Sequence, residues 1–197
     1  MKGRESGLPD ESHWESFYDA RCILAKLEVP NDDSSVVEFG SGYGTFALPA
    51  AMRTSGAVYA LDIEPSLVEA LEKKARDARL SNLVASVRAV VAEGTGLSNG
   101  SVDHAMVYNI LHIEDPVALL GEAFRVLRPG GRLSMIHWKP DPTTPRGPPM
   151  DIRPTPQQCR QWAETAGFQL IRHQDLSECC AYYYGLVMKR PRALDVA

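Results

Sequence analysis

Three glycines at alternate positions, Gly40, Gly42 and Gly44, follow directly on a short β-branched and aromatic run, Val36-Val37-Glu38-Phe39. A backbone this poor in Cβ atoms can turn tightly and let a ligand approach closely. Immediately beyond, Phe46, Ala47, Leu48, Ala50, Ala51 and Met52 continue as a helical pattern. Strand, glycine turn and helix in that order point to an α/β fold, in which ligands settle beyond the carboxyl ends of the strands at a switch point. A dinucleotide fingerprint needs Gly-x-Gly-x-x-Gly, and the sixth position counted from Gly40 is Thr45, so that pattern fails.

The rest of the chain repeats the alternation. Short apolar runs at 57–61, 84–91, 102–108 and 132–137 read as strands, and helical periodicities begin at Pro65 and at Asp115-Pro116. Pro129-Gly130-Gly131 is expected to end the second of these helices. Strands alternating with helices predict βαβ units and a parallel sheet covered on both faces. A helix is expected near the N-terminus at 10–27, with Trp14, Phe17, Tyr18 and Cys22 at helical spacing, and another at 157–166, closed by Gly167. Two last strands are expected at 168–173 and 182–188; alternation along the second would put Tyr182 and Tyr184 on one face and Tyr183 on the other. Between them and the rest, 139–156 holds seven prolines without periodicity and reads as a loop of the functional kind. With 197 residues and no internal repeat, one domain is expected over 1–197, its N-terminal helix (10–30) and its Pro-rich loop covering a pocket.

Charge narrows the partners. A net charge of −4 with scattered basic residues argues against nucleic acid. No apolar run approaches the ~18 residues of a membrane span, and the first ten residues lack an apolar signal core. A cytoplasmic protein is the expectation. Cys22, Cys159, Cys179 and Cys180 show no zinc spacing, so no metal is expected, and in a reducing compartment free packing thiols are expected rather than disulfides.

Several separate motifs stand in one order between Val36 and Trp138: the acid-containing strand and glycine turn, Asp62 at the end of the second strand, Val91-Ala92-Glu93, the run from Ser101 to His112, and Phe124-Arg125-Val126-Leu127-Arg128-Pro129-Gly130-Gly131. Together they resemble the class I, Rossmann-like S-adenosylmethionine-dependent methyltransferases, and within them the ubiquinone and menaquinone biosynthesis group. The resemblance implies a three-layer αβα sandwich around a seven-stranded, mostly parallel sheet whose last strand is antiparallel. It implies S-adenosylmethionine as cofactor, with Glu38 toward the amino end of the methionine moiety and Gly40, Ser41, Gly42 and Gly44 in the turn beneath it. Asp62, 22 positions after Gly40, has the acceptor oxygens that ribose hydroxyls need. Ile63 would flank the adenine. At Val91-Ala92-Glu93 a valine replaces the usual acid, so Ala92 and Glu93 are expected to face the adenine edge. Asn109 follows the fourth strand, facing the methyl donor. Asn109-Ile110-Leu111-His112 is not the Asn/Asp-Pro-Pro-Tyr/Phe of enzymes that methylate exocyclic amines.

Methyl transfer is an in-line displacement in which alignment supplies much of the acceleration, and a base helps only where the acceptor must lose a proton. His112, His137 and Tyr18 are the candidate bases; a neutral imidazole suits the task near pH 7. Trp14, Arg146 and Arg153 are candidate acceptor contacts, and arginine forks would suit a small anionic substrate. The alternatives are a nicotinamide-dependent oxidoreductase and a non-catalytic S-adenosylmethionine-binding protein of the same fold.

Overall fold

Along each central strand, neighbouring residues go to opposite cores. Val36 packs with Ile23, Ala50 and Leu71, whereas Val37 packs with Leu119, Leu120 and Ala123. This period-2 division, with both faces apolar, is what a parallel sheet sandwiched between helices requires. In the computed structural model, residues 19–140 and 147–192 are described. The elements run α1 (Ala20–Lys26), β1 (Val36–Phe39), α2 (Ala47–Arg53), β2 (Val58–Asp62), α3 (Pro65–Asp77), β3 (Leu83–Val87), α4 (Val90–Glu93), β4 (Val102–Tyr108), α5 (Pro116–Val126), β5 (Leu127–Trp138), α6 (Pro156–Thr165), β6 (Gln169–Gln174) and β7 (Tyr183–Lys189).

The seven-stranded sheet has the order β3-β2-β1-β4-β5-β7-β6. Strands β1 to β5 pair in parallel, and β7 pairs antiparallel with both β5 and β6. Helices α1, α2 and α3 cover one face and α5 and α6 the other. The expected three-layer αβα sandwich with its antiparallel last strand is what forms. The chain reverses direction across the sheet between β1 and β4, so a crevice opens above their carboxyl ends.

Local chemistry sets the element ends. Asp19, Asp115 and Thr155 each accept a backbone hydrogen bond at the start of α1, α5 and α6, the last with a reciprocal bond from Thr155 N to Gln158. At the far end of α5, Arg190 donates through one nitrogen to the carbonyls of Phe124, Arg125 and Leu127. That satisfies the orphan carbonyls of the helix end.

Six details differ from the sequence reading. The third strand stops at Val87 and residues 90–93 turn into α4 instead of continuing to Val91. The helix α5 ends at Val126 and Pro129-Gly130-Gly131 lies inside β5, where Gly130 N donates to Arg190 O. In the Pro-rich stretch, Met150–Ile152 forms one turn of 3₁₀ helix. Tyr182 precedes β7, and both it and Tyr183 pack on Trp138, so the strict alternation does not reach Tyr182. Cys22 and Cys179 are joined as a disulfide across 157 residues, where free thiols were expected; Cys159 and Cys180 are free and buried. Finally, the single helix expected over 10–27 is not what forms at its described end: Asp19 is an extended cap and α1 starts at Ala20, while Trp14, Phe17, Tyr18 and Arg146 lie outside the described residues.

Candidate active site

Above the carboxyl ends of β1, β2 and β4 lies a cavity of about 900 Å³. Its floor is the glycine turn. Gly40, Gly42 and Gly44 all take positive φ (72°, 52° and 82°), the left-handed region that disfavours side chains. They have separate tasks. A Cβ on Gly40 would sit 2.6 Å from Ile110 and one on Gly44 only 2.3 Å from Leu71, whereas nothing lies within 4 Å of one on Gly42. Gly44 therefore lets α3 pack against the turn and does not line the cavity, correcting its expected cofactor contact; Gly42 leaves open space above the backbone.

Asp62 ends β2 and ties this turn down. Its Oδ2 accepts from Gly42 N at 2.7 Å and its Oδ1 from Glu64 N at 3.0 Å. A carboxylate has about four lone-pair sites, so two remain for a ligand. On the other side, Lys74 donates to Tyr43 O at 3.1 Å and holds the turn from α3.

Around the turn stand polar atoms that the fold buries without a hydrogen-bond partner among the described residues: Glu38 Oε2, Ser41 Oγ, Thr45 Oγ1, Arg88 Nε and both amide atoms of Asn109. All five residues line the cavity. Such groups cost of order 1–3 kcal/mol each when left unsatisfied, so their clustering marks a ligand's seat. Glu38 is 1% exposed; burial, and secondarily the neighbouring Asp62 charge, push its carboxyl well above the usual carboxylate range, and Ala47 of α2 opposes this with a backbone hydrogen bond. Asn109 has φ +55°, rare for a non-glycine residue, and its own N–H is tied to Ile136 O.

Ile63, 46% exposed, and Ala92 line the cavity, as does Val91, 49% exposed. Glu93 does not: it ends α4 in solvent, because the stretch after β3 closes into a helical turn that presents Arg88 to Ala92 inward. The neighbouring Thr95 is held instead by Glu122, whose carboxyl Arg125 keeps down at about 2.

The other end of the cavity is apolar and aromatic, with Phe46, Tyr108, Ile113, Trp138 and Pro148, together with His112. Tyr108 reaches Ser134 Oγ at 2.8 Å, and His104 reaches the same oxygen at 2.8 Å from below. His112 Nδ1 stands 3.2 Å from His137 Nε2. His137 is fully buried and does not line the cavity, so it cannot meet an acceptor directly as expected. Burial pushes both imidazoles down, His137 to about 3, with the adjacent His112 a lesser cause. Arg153, expected to read an anionic substrate, is buried behind the loop: it donates to Pro148 O and Lys139 O and lies over the Trp138 ring at 5.5 Å. It pins the Pro-rich loop.

Of the residues expected from sequence, Glu38, Gly40, Ser41, Gly42, Asp62, Ile63, Ala92, Asn109 and His112 line the cavity; Thr45, Arg88, Tyr108 and Trp138 line it as well and were not expected. Tyr108 and Trp138 had a usable signal, since each ends a strand at the edge where the crevice opens.

A methyltransferase domain model matches residues 37–135, about half of the chain. The chain belongs to the S-adenosylmethionine-dependent methyltransferases. Among curated proteins it is 28% identical to the aklanonic acid methyltransferase DauC of Streptomyces sp. (strain C5) over 81% of this chain and 79% of that protein. It is 35% identical to an uncharacterized 37.1 kDa protein of a Streptomyces fradiae transposon, over 68% of this chain but 41% of that protein. The ubiquinone/menaquinone biosynthesis C-methyltransferase UbiE of Rickettsia prowazekii is 28% identical over 57% of this chain and 47% of that protein. Among solved structures, a methyltransferase of Aquifex aeolicus superposes with a TM-score of 0.80 at 22% identity, covering 92% and 94% of the two chains. A geranyl diphosphate methyltransferase in complex with S-adenosylmethionine superposes with a TM-score of 0.73 at 15% identity, covering 87% and 84%. At these identities the superpositions speak for the fold alone. The family's cofactor is S-adenosylmethionine, and the orphaned polar atoms and the open space over Gly42 fit it.

Proposed function

We propose that this methyltransferase acts on a small-molecule acceptor that enters over the carboxyl ends of β4 and β5. The observation that carries the proposal is the division of the cavity, with buried unsatisfied polar atoms at the glycine turn and an aromatic wall with one imidazole at the other end. When bound, S-adenosylmethionine supplies a methyl group made electrophilic by its sulfonium. Glu38, Ser41 and the turn backbone at Gly40 and Gly42 would hold the methionine end, Asp62 the ribose hydroxyls, and Ile63 and Ala92 the adenine. Asn109, whose strained backbone fixes its amide at the mouth of β4, would complete the seat. Tyr108, Phe46 and Trp138 exclude water on the acceptor side, and alignment of the acceptor against them is the main catalytic resource.

The Streptomyces relative acts on aklanonic acid by name, which supports a small acceptor. With Arg153 committed to loop carbonyls, Arg146 is the remaining candidate for an anionic group on it, and Trp14 and Tyr18 the candidates for covering it. A net charge of −4 supports the exclusion of nucleic acid.

Titration calorimetry with S-adenosylhomocysteine tests the proposal: saturable heat is expected in folded protein, and its absence ends the case. Release of tritium from methyl-labelled S-adenosylmethionine into an extracted metabolite pool then identifies the acceptor; binding without any transfer would leave a non-catalytic cofactor-binding protein.

A further inference from the structure

We propose that His137 is a positioning residue that holds His112 in its Nδ1-protonated tautomer, so that the Nε2 lone pair of His112 faces the cavity as acceptor for the proton of a hydroxyl or N–H methyl acceptor. The inference deepens the proposed function and rests on it for the identity of the ligand, though not for the tautomer.

His137 Nδ1 lies 3.4 Å from Trp138 O. A carbonyl oxygen can only accept, so the proton of the buried, neutral His137 ring belongs on Nδ1. Its Nε2 then carries a lone pair and must accept from His112 Nδ1, 3.2 Å away. The opposite assignment would set the Nδ1 lone pair of His137 against a carbonyl lone pair inside a site with no exposure. The two rings meet nearly edge to face, at 80°. His112 lines the cavity and His137 does not, so the edge of His112 left toward the ligand is the one bearing Nε2.

Titratable and charged groups face the two rings from several elements. Behind His137 stand Tyr184 of β7, stacked at 6.4 Å, and Cys159 of α6, 3.2 Å from the Tyr184 hydroxyl. Burial raises both, Cys159 to about 12, so each is neutral near pH 7. Arg153 acts on His137 through space and disfavours its protonation. In the same segment as His112, Asn109 precedes it, and Glu114 and Asp115 follow it; both carboxylates are exposed and line the same cavity.

The chemistry balances simply. With S-adenosylmethionine bound, the bond from acceptor atom X to the methyl carbon would form as the carbon–sulfur bond breaks and its electron pair leaves on the sulfur of S-adenosylhomocysteine. The X–H pair would stay on X and the proton would move to His112 Nε2, leaving an imidazolium whose Nδ1–H remains bonded to His137. An acceptor that carries no acidic proton gains nothing from this arrangement, so hydroxyl or N–H acceptors are the class selected.

Two-bond ¹H–¹⁵N correlation spectra of the full, ¹⁵N-labelled protein at pH 7 read the tautomers without cofactor, with His112→Gln and His137→Gln spectra assigning the ring signals. The expected result is the Nδ1–H form for both rings and loss of the single form for His112 in His137→Gln, with S-adenosylhomocysteine affinity within twofold of wild type. An Nε2–H or cationic His112 in the wild type overturns the proposal. Phenol added to the S-adenosylhomocysteine complex should shift the His112 Nε2 resonance while toluene does not; an equal response to both overturns the hydroxyl selectivity. Absence of calorimetric heat with S-adenosylhomocysteine would overturn the methyltransferase proposal while leaving the tautomer result intact.

Discussion

The two ends of the cavity are built on opposite plans. At the glycine turn, Glu38, Ser41, Thr45 and Asn109 carry buried polar atoms that nothing among the described residues satisfies. At the acceptor end several buried polar groups pair with one another: His112 with His137, Tyr108 with Ser134 and His104, Cys159 with Tyr184, and Tyr184 with Pro154 O. The first end is incomplete without a ligand that brings many donors and acceptors of its own. The second is largely paired within the fold behind an aromatic wall, and asks of its ligand mainly shape and a single proton. An invariant ligand suits the first plan and a variable one the second, which is how one fold can keep its cofactor while changing its acceptor.

The covalent staple belongs to the acceptor end. Cys179 lies in the segment leading to β7, whose first residue pairs with Trp138, and Asp19 at the start of α1 donates to Cys179 O. Opening the bond frees a long loop in the unfolded chain, for which stabilisation of ~3 kcal/mol is typical. Cys22→Ser, or reduction by dithiothreitol, is therefore expected to lower the melting temperature by roughly 6–12 °C while leaving S-adenosylhomocysteine affinity unchanged. A fall in cofactor affinity would dissolve the separation of the two ends. An unchanged melting temperature would mean that the bond is dispensable, which a reducing cytoplasm would require.

The next largest effect falls on the other end. Asp62 fastens Gly42 and Glu64 through two charge-assisted hydrogen bonds and keeps two lone-pair sites toward the cavity. Asp62→Ala removes the fastening and the ligand contact together, and a ~100-fold loss of S-adenosylhomocysteine affinity is expected (~2.7 kcal/mol). Calorimetry decides it: a loss below threefold would show that the turn is shaped by its glycines alone.

The two ends also differ in how much of them could be read from sequence. Glycine spacing, an acid at a strand end and apolar strands are local, periodic signals, and they located Gly40, Gly42, Asp62 and the αβα order. The acceptor end is assembled by pairing across the sheet. His137 meets Tyr184 because β5 and β7 are in register there, and no local pattern records that contact. The same applies to Cys22 and Cys179, 157 residues apart. Arg153 was misassigned for a related reason: an arginine in a polar loop looks available until the fold shows which carbonyls it serves. At Val90 to Glu93, β-branched residues favoured a longer strand by propensity, but the chain needed a turn back toward β4, and tertiary demand overrode the preference.

Glu38 offers the smallest and sharpest test of the incomplete end. Its folded-state carboxyl titrates above its unfolded value, chiefly through burial. The folded protein therefore holds this proton more tightly than the unfolded chain, so the stability it confers is full below the unfolded pKa and is lost as pH rises through the folded one. Glu38→Gln keeps the shape and removes the titration. The variant should match the wild type near pH 4 and exceed it at pH 8, by ~1 kcal/mol or a few degrees in melting temperature. Cofactor affinity should move the other way. A ligand ammonium beside an ionised Glu38 supplies the charge that burial denies it, so wild-type affinity should rise with pH as the proton is displaced, whereas the glutamine variant should bind about tenfold more weakly at pH 8 and without that slope. Melting curves at pH 4 and pH 8, with S-adenosylhomocysteine titrations at pH 6 and pH 8, separate the two effects. A variant that is destabilised at pH 8, or that binds as tightly as the wild type, would mean that Glu38 is held by the fold for its own sake, and that both ends of the cavity are built alike.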